Sequence, residues 1–308
     1  MSRSRSRSKP KPPALAAPRA PKAPTAPSVP SALLAAALEQ RSRAFLRRLL
    51  GLGTRRSPEA VHDLRVAARR LMAVIDLIGG ALDDRELGRL RRRLKRLLKD
   101  FNIFRDLEIQ RGAMGGLAAR FAVLRPLARA LRSRERTLLP RAVRRAARFD
   151  RAALEQTVAG AIASLSAMAR WPNGEAALLE NARAAHAASY AALLRMRTLV
   201  NKNRPRSLHR LRITLKKNRY AAEILLPYLT GLRPRHLKSM NALQTAFGAV
   251  QDQVVVMRCV RQYMRTGDPG GAMLPVLEVL NSGRTGLIDR ALSAVPAIDE
   301  FWGSPPFR

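Results

Sequence analysis

An internal duplication is the feature of this sequence that most constrains its fold. The stretch Val61–Val66, with the sequence VHDLRV, recurs 147 residues later as Leu208–Ile213, with the sequence LHRLRI. A second block, Phe101–Asp106, matches Phe247–Asp252 at an offset of 146. A unit that is present twice predicts two related halves, and we expect these halves to pack about a pseudo-twofold axis.

Both copies lie in sequence with helical periodicity almost throughout. Apolar residues recur every three or four positions, Gly and Pro cluster at breaks, and strand-like alternation is absent. We therefore predict an all-α fold in which residues 32–300 form two related four-helix bundles, with repeats over about 32–150 and about 174–300. Residues 1–31 hold eight prolines, seven basic residues and no acid, which predicts a disordered basic arm.

The charge of the chain restricts the class of its partner. There are 58 Lys and Arg residues against 22 Asp and Glu, a formal net charge of +36, and the arm accounts for only a small part of it. Guanidinium groups bind phosphate through two parallel hydrogen bonds, so we expect a polyanion. The sequence has no apolar run long enough for a membrane span, no signal-peptide core and a single cysteine, Cys259. We therefore expect a cytoplasmic protein that binds no membrane, metal or cofactor.

Histidine and cations share one face of the duplicated helix. At 100° per residue, His62, Arg65 and Arg69 fall within about 60° of one another, opposite the leucines. A basic stripe opposite an apolar stripe is usually just a solvated face. However, core packing does not require histidine and cations at the same spacing on the polar face of both copies. This repetition therefore favours an anion-binding surface. The candidate ligands on these stripes and on the basic face of the next helix are His62, Arg65, Arg69, Arg92, Lys95, Lys99, His209, Arg212, Lys216 and Arg219.

Two acids occupy equivalent positions in the two copies. Asp76 and Glu223 lie seven residues after Arg69 and Lys216, on the same helical face. We expect them to orient the cations, although an ordinary surface ion pair explains them equally well.

These motifs resemble the CHAD family, the histidine α-helical domain. The resemblance covers residues 32–300 and rests on the two histidine motifs and on the blocks Arg105-Asp106 and Gln251-Asp252. It implies two four-helix units that enclose a basic channel for inorganic polyphosphate, in some members at polyphosphate granules. The family pattern adds further candidate ligands: Arg70, Arg105 and Lys217. Met72 stands where the second copy has Arg219, so the two halves need not contribute equally.

The expected function is therefore non-catalytic binding of inorganic polyphosphate. A basic nucleic-acid-binding or nucleoid-associated protein is the alternative, since any polycation binds DNA or RNA nonspecifically, although 14 aromatic residues offer few stacking platforms. A phosphate-processing enzyme is less favoured, because the four histidines form no HExxH motif and no phosphate-binding GxxxxGK[ST] loop occurs. The pattern leaves the length of the ligand and the oligomeric state open.

Overall fold

The computed structural model describes residues 29–202, 204–229, 231–267 and 271–301, and their regular secondary structure is entirely helical. The predicted all-α class is confirmed. The disordered arm predicted over residues 1–31 falls mostly on residues 1–28, outside the described part, and the first helix begins at Pro30.

Ten α-helices follow one another in the described residues. They are α1 (Pro30–Arg55), α2 (Pro58–Leu82), α3 (Arg85–Asp100), α4 (Asn102–Arg120), α5 (Arg125–Ala147), α6 (Arg151–Ala169), α7 (Gly174–Thr198), α8 (Pro205–Leu225), α9 (Pro234–Met264) and α10 (Leu274–Ser293). Short 3-10 segments lie at Ala122–Leu124, Leu226–Tyr228 and Val295–Phe301.

Local sequence signals account for the start of α2 and for the orientation of α3. Ser57 caps α2, its hydroxyl accepting a hydrogen bond from the Ala60 amide at 3.2 Å, and Pro58 occupies the first turn, where it costs no hydrogen bond. Asp84 caps α3 in the same way. Four leucines of α3 recur at spacings of three and four and are buried, so this helix turns most of its charged residues away from the core: Leu87, Leu90, Leu94 and Leu97.

One break between helices differs from the sequence-based expectation. The periodicity predicts a continuous helix over 84–110, whereas α3 ends at Asp100 and α4 begins at Asn102. Phe101 between them is buried, with φ −90° and ψ 1°. Phe247 is equally buried at the equivalent place, yet α9 runs through it without interruption. No proline or glycine in the neighbouring sequence explains the break.

The two copies of the repeat share their cores. Helix α1 packs on α2 as α7 packs on α8, and α4 packs on α5 as α9 packs on α10. One buried apolar cluster includes Phe45 and Leu71 from the first copy with Leu211 and Phe247 from the second. A second cluster is built from α4, α5, α9 and α10. The halves are therefore held together by burial of common apolar surface, while the pseudo-twofold axis stays a prediction.

The motif helices of the two copies, α2 and α8, contact each other, and α2 also packs on α7. This arrangement brings the duplicated polar faces toward a common region of the molecule. None of the helices in the described ranges is both long and apolar enough to cross a bilayer.

Candidate functional site

A cleft of about 760 Å³ lies among α2, α3, α4, α7, α8 and α9, between the two copies of the motif. Two carboxylates, Asp76 and Asp106, line it together with His209. The remaining charged side chains of its wall are cations: Arg69, Arg91, Arg105, Arg212, Lys216 and Lys217. Six cations against two carboxylates give this concave surface a strong positive potential.

The helical periodicity of α8 explains which of its residues line the cleft. Leu208, Leu211 and Leu215 are buried in the core. Arg212 and Lys216, four residues apart, therefore project together on the cleft side, one helical turn from each other. Arg69 reaches the same cleft from α2.

Lys216 is the most perturbed cation of the cleft. Its pKa is lowered to about 6, first by burial and then by the charges of four arginines: Arg69, Arg212, Arg219 and Arg105. Burial is also the first cause that lowers the pKa values of Arg69 and Arg212, and the charge of Arg105 lowers both further. Within the described part of the chain, none of Arg69, Arg212 and Lys216 forms an ion pair with a carboxylate. Mutual repulsion in this cluster is relieved by a bound anion.

The two histidines of the motif lie in different environments. His209 is half-buried in the cleft, where burial, then Arg212 and Arg105, lower its pKa, and a hydrogen bond from its ring to the Gln251 side chain raises it. His62 is not among the residues that line the cleft. Its side chain is 53% exposed, and its Nδ1 lies 3.5 Å from Glu108 Oε2.

The first arginine of each motif also differs between the copies. Arg65 is 2% exposed and donates from Nη2 to Asn102 Oδ1 at 3.2 Å. Burial, then the charges of Arg69 and Arg105, lower its pKa to about 9. Its counterpart Arg212 lies over Gly248, where an added Cβ would come within 3.5 Å of Nε. Arg65 is thus buried beside the cluster, whereas Arg212 lines the cleft itself.

Each of the two predicted orienting acids contacts an arginine. Asp76 accepts from both Nε and Nη2 of Arg91, a residue of α3, with the second contact at 3.2 Å. Glu223 pairs with Arg219 on its own helix, and Arg219 also donates to Gln244 Oε1 at 3.3 Å. That these pairs orient ligand-binding cations stays a prediction.

Three cations surround the ring of Tyr220 at the edge of the cleft. Arg219 lies 4.7 Å from the ring centroid, Lys216 5.7 Å and Arg70 5.9 Å. These are cation–π distances. Arg70 and Arg219, both predicted ligands, do not line the cleft but are held next to it through this ring.

Three further predicted ligands lie outside the cleft. Arg92, Lys95 and Lys99 are exposed on the solvent side of α3. The residues of α3 that line the cleft are instead Arg91 and Leu98.

Sequence reasoning predicted Arg105 as a ligand, but it missed Arg91 and Asn102 in the cleft wall and missed Asp252 as the partner of Arg105. Arg105 of the first copy donates from Nη2 to Asp252 Oδ1 of the second at 2.6 Å. Burial raises the pKa of Asp252, against the charges of Arg105 and Arg212. The duplicated block Phe101–Asp106 contained a signal for Asp252, because this residue matches Asp106, whereas Asn102 stands opposite Gly248 and has no such signal. Across the described ranges, no three His, Cys, Asp or Glu residues come close enough together to hold a metal ion.

Comparison with known proteins places the chain in a family. Residues 18–261 match the model of the CHAD domain. No curated protein matches the sequence. Among solved structures, the CHAD domain from the plant Ricinus communis is 21% identical, with a TM-score of 0.52 over 89% of this chain and 91% of that one. PptA from Streptomyces chartreusis is 20% identical, with a TM-score of 0.58 over 89% of this chain and 100% of that one. At these identities the two structures show a shared fold, and the match over residues 18–261 carries the assignment: the chain belongs to the CHAD domain family.

Proposed function

We propose that this protein binds inorganic polyphosphate in the cleft between its two repeats and does not transform it. The observation that carries the proposal is the environment of Lys216. Burial and then the charges of four arginines lower its pKa, and no carboxylate of the described residues pairs with it. A cluster of like charges held this close is unfavourable in an empty cleft and becomes favourable when an anion occupies it.

A linear chain of phosphates fits the arrangement better than a single phosphate does. Arg212 and Lys216 are four residues apart, about 6 Å along the axis of α8, and Arg69 faces the same space from α2. Cations in a row offer a partner to each successive anion. Much of the affinity then comes from release of counterions, so the affinity falls steeply with salt.

Nucleic acid is the second candidate ligand, and the cleft favours it less. Proteins that bind single strands stack bases on aromatic rings. Among the residues that line the cleft, Tyr220 is the one Phe, Tyr or Trp, and it is 6% exposed and already surrounded by cations. The cleft therefore offers charge without a surface for bases. In the cell, we expect the protein where polyphosphate accumulates, in the cytoplasm or at polyphosphate granules.

Binding without catalysis is also part of the proposal. Of the two carboxylates that line the cleft, Asp76 is paired with Arg91, which leaves it poorly placed as a general base, and Asp106 stands alone, without the second free carboxylate that acid–base chemistry on a phosphate chain would use. Incubation of the protein with polyphosphate and Mg²⁺ should release no phosphate above the protein-free control. Turnover that disappears in a cleft variant would contradict this part of the proposal.

Two double variants test the binding site. We expect Arg212→Gln with Lys216→Gln to weaken binding of long-chain polyphosphate by about tenfold or more at physiological salt. Arg265→Gln with Arg290→Gln also replaces two basic side chains, at exposed positions that do not line the cleft, and should stay within about twofold of the wild type although it removes at least as much charge from the free protein. Equal losses in both variants, or duplex DNA that displaces polyphosphate at equal phosphate concentration, would refute the proposal.

A further inference from the structure

The basic face of α3 forms a band that the cleft does not use. With Arg91 in the cleft taken as 0°, Lys95, Lys99, Arg92 and Arg96 follow at about 40°, 80°, 100° and 140° around the helix. The buried leucines of α3 occupy the arc between about 240° and 320°. The cations therefore run around the exposed side of the helix without an acidic or apolar interruption.

This band ends in a second basic groove on the far side of α3. The groove has a volume of about 290 Å³ and lies between α3 and the end of α5. Its basic residues are Arg93, Arg96, Arg145 and Arg148, and its other lining residues are Leu97, Phe149 and Asp150.

Two arginines of this groove are available for an anion. Arg145 is paired with Asp100 at 2.5 Å, and Arg93 lies 3.7 Å from Asp150. Arg96 and Arg148 are exposed and have no carboxylate partner within the described residues. The groove is thus only partly neutralised by its own acids.

We propose that a polyphosphate chain bound in the cleft continues across the exposed face of α3 and into the groove between α3 and α5. This inference rests on the proposed function and extends it to a second binding segment for the same ligand. The two segments are separated by one helix, about 10 Å wide, which is close to the screening length at physiological salt. A phosphate chain that leaves the cleft over Lys95, Lys99 and Arg92 therefore stays within a positive field until it reaches the groove.

Such an arrangement makes affinity depend on chain length. A short chain occupies the cleft alone, whereas a long chain engages the groove as an intramolecular event at high effective concentration. The groove offers no stacking surface for bases, because Phe149 is half-buried with its ring 5.1 Å from that of Phe45. Its small volume also suits one flexible chain better than a duplex.

The test compares tripolyphosphate with long-chain polyphosphate on four proteins. They are the wild type, the groove variant Arg96→Gln with Arg148→Gln, the cleft variant Arg212→Gln with Lys216→Gln, and the control variant Arg265→Gln with Arg290→Gln. We expect the groove variant to bind tripolyphosphate as the wild type does. For the long chain, its affinity per phosphate should fall about tenfold at low salt, since each exposed guanidinium–phosphate pair contributes about threefold. The slope of log affinity against log salt should also become shallower by about 1.4, which corresponds to two lost phosphate contacts.

The possible failures are distinguishable. A groove variant that matches the control for the long chain, or that loses only duplex DNA binding, overturns the inference and leaves the proposed function standing. A wild-type protein that binds neither ligand overturns the proposed function, and this inference with it. A cleft variant that keeps full affinity for tripolyphosphate also overturns both the proposed function and this inference.

Discussion

Binding of polyphosphate should be coupled to uptake of a proton by Lys216. In the empty cleft the pKa of this side chain is lowered to about 6, so at pH 7.5 about 3% of the molecules carry the charge. A phosphate beside the amine favours the charged form and returns the pKa toward its ordinary value of 10.5. Binding at pH 7.5 therefore takes up close to one proton at this residue.

The sign and size of the pH effect follow from this linkage. A group that binds more protons in the complex than in the free protein makes the affinity rise as the pH falls from the bound pKa to the free pKa. The upper limit is tenfold per pH unit, about 1.4 kcal/mol, so between pH 8 and pH 6.5 the affinity should rise by up to about 30-fold. Water in the open cleft screens the charges and reduces this value. Below pH 6 Lys216 is already protonated, and its contribution levels off.

Calorimetric titration with long-chain polyphosphate measures the proton uptake directly, when it is repeated at pH 7.5 in two buffers that differ in ionisation enthalpy. The variant Lys216→Arg keeps the positive charge but stays protonated throughout this range. It should bind at pH 8 at least as tightly as the wild type, with its proton uptake reduced by nearly one. Zero uptake in the wild type, or equal uptake in both proteins, would refute the assignment of the perturbed pKa to a ligand-binding lysine.

Three further predictions concern stability and the link between the repeats. Asp252→Asn should remove the carboxylate that lies 2.6 Å from Arg105 and so free this arginine for the ligand. Titration should then show the affinity for polyphosphate raised about twofold to fivefold at low salt, and a lower affinity would contradict this. Polyphosphate at 100 times its Kd should raise the free energy of unfolding by about 2.7 kcal/mol, and added salt should abolish the corresponding rise in Tm if the contacts are ionic. Burial lowers the pKa of His186 to about 4, so between pH 6.5 and pH 4 the unfolded chain gains a proton that the native protein does not, and stability should fall by up to about 3 kcal/mol. In urea unfolding, the free energy of unfolding of His186→Gln should fall less steeply between pH 6.5 and pH 4 than that of the wild type. An equal fall in both proteins would contradict that account.

The parts of the fold that depend on helical periodicity and on helix capping could be predicted from the sequence. The all-α class is one example, and the start of α2 at the Ser57-Pro58 pair is another, because a cap followed by proline in the first turn is a local signal. The polar face of α8 is a third. Once Leu211 and Leu215 are assigned to the core, the helical period leaves Lys216 on the face that the structure turns toward the cleft.

The orientation of a broad polar face could not be predicted in the same way. Helix α3 has cations over more than half of its circumference, and a helical wheel separates these only from the leucines. Which edge of that polar arc meets another helix depends on tertiary packing. The structure turns Arg91 into the cleft and leaves Arg92 and Lys95 in solvent. The surroundings of His62 also depend on tertiary packing. Its side chain is exposed, and its partner Glu108 lies on another helix, α4.

A comparison of the two copies nevertheless contains the reason why Arg91 enters the cleft. Glu223 has an arginine four residues before it, Arg219, and the two pair along α8. The equivalent positions in the first copy are Asp76 and Met72, so Asp76 has no such partner on its own helix. It binds Arg91 of α3 instead, and this contact recruits a cation from another helix. In the second copy the arginine is neutralised on its own helix and does not line the cleft. The difference at this one position thus accounts for the different partners of the two acids: Asp76 pairs across helices and Glu223 pairs within α8. It follows that Met72→Arg should pair Asp76 with an arginine on its own helix and free Arg91, and a structure of the variant should show the contact between Arg91 and Asp76 lost. A change at Glu223 should instead free Arg219, which also donates to Gln244 of α9.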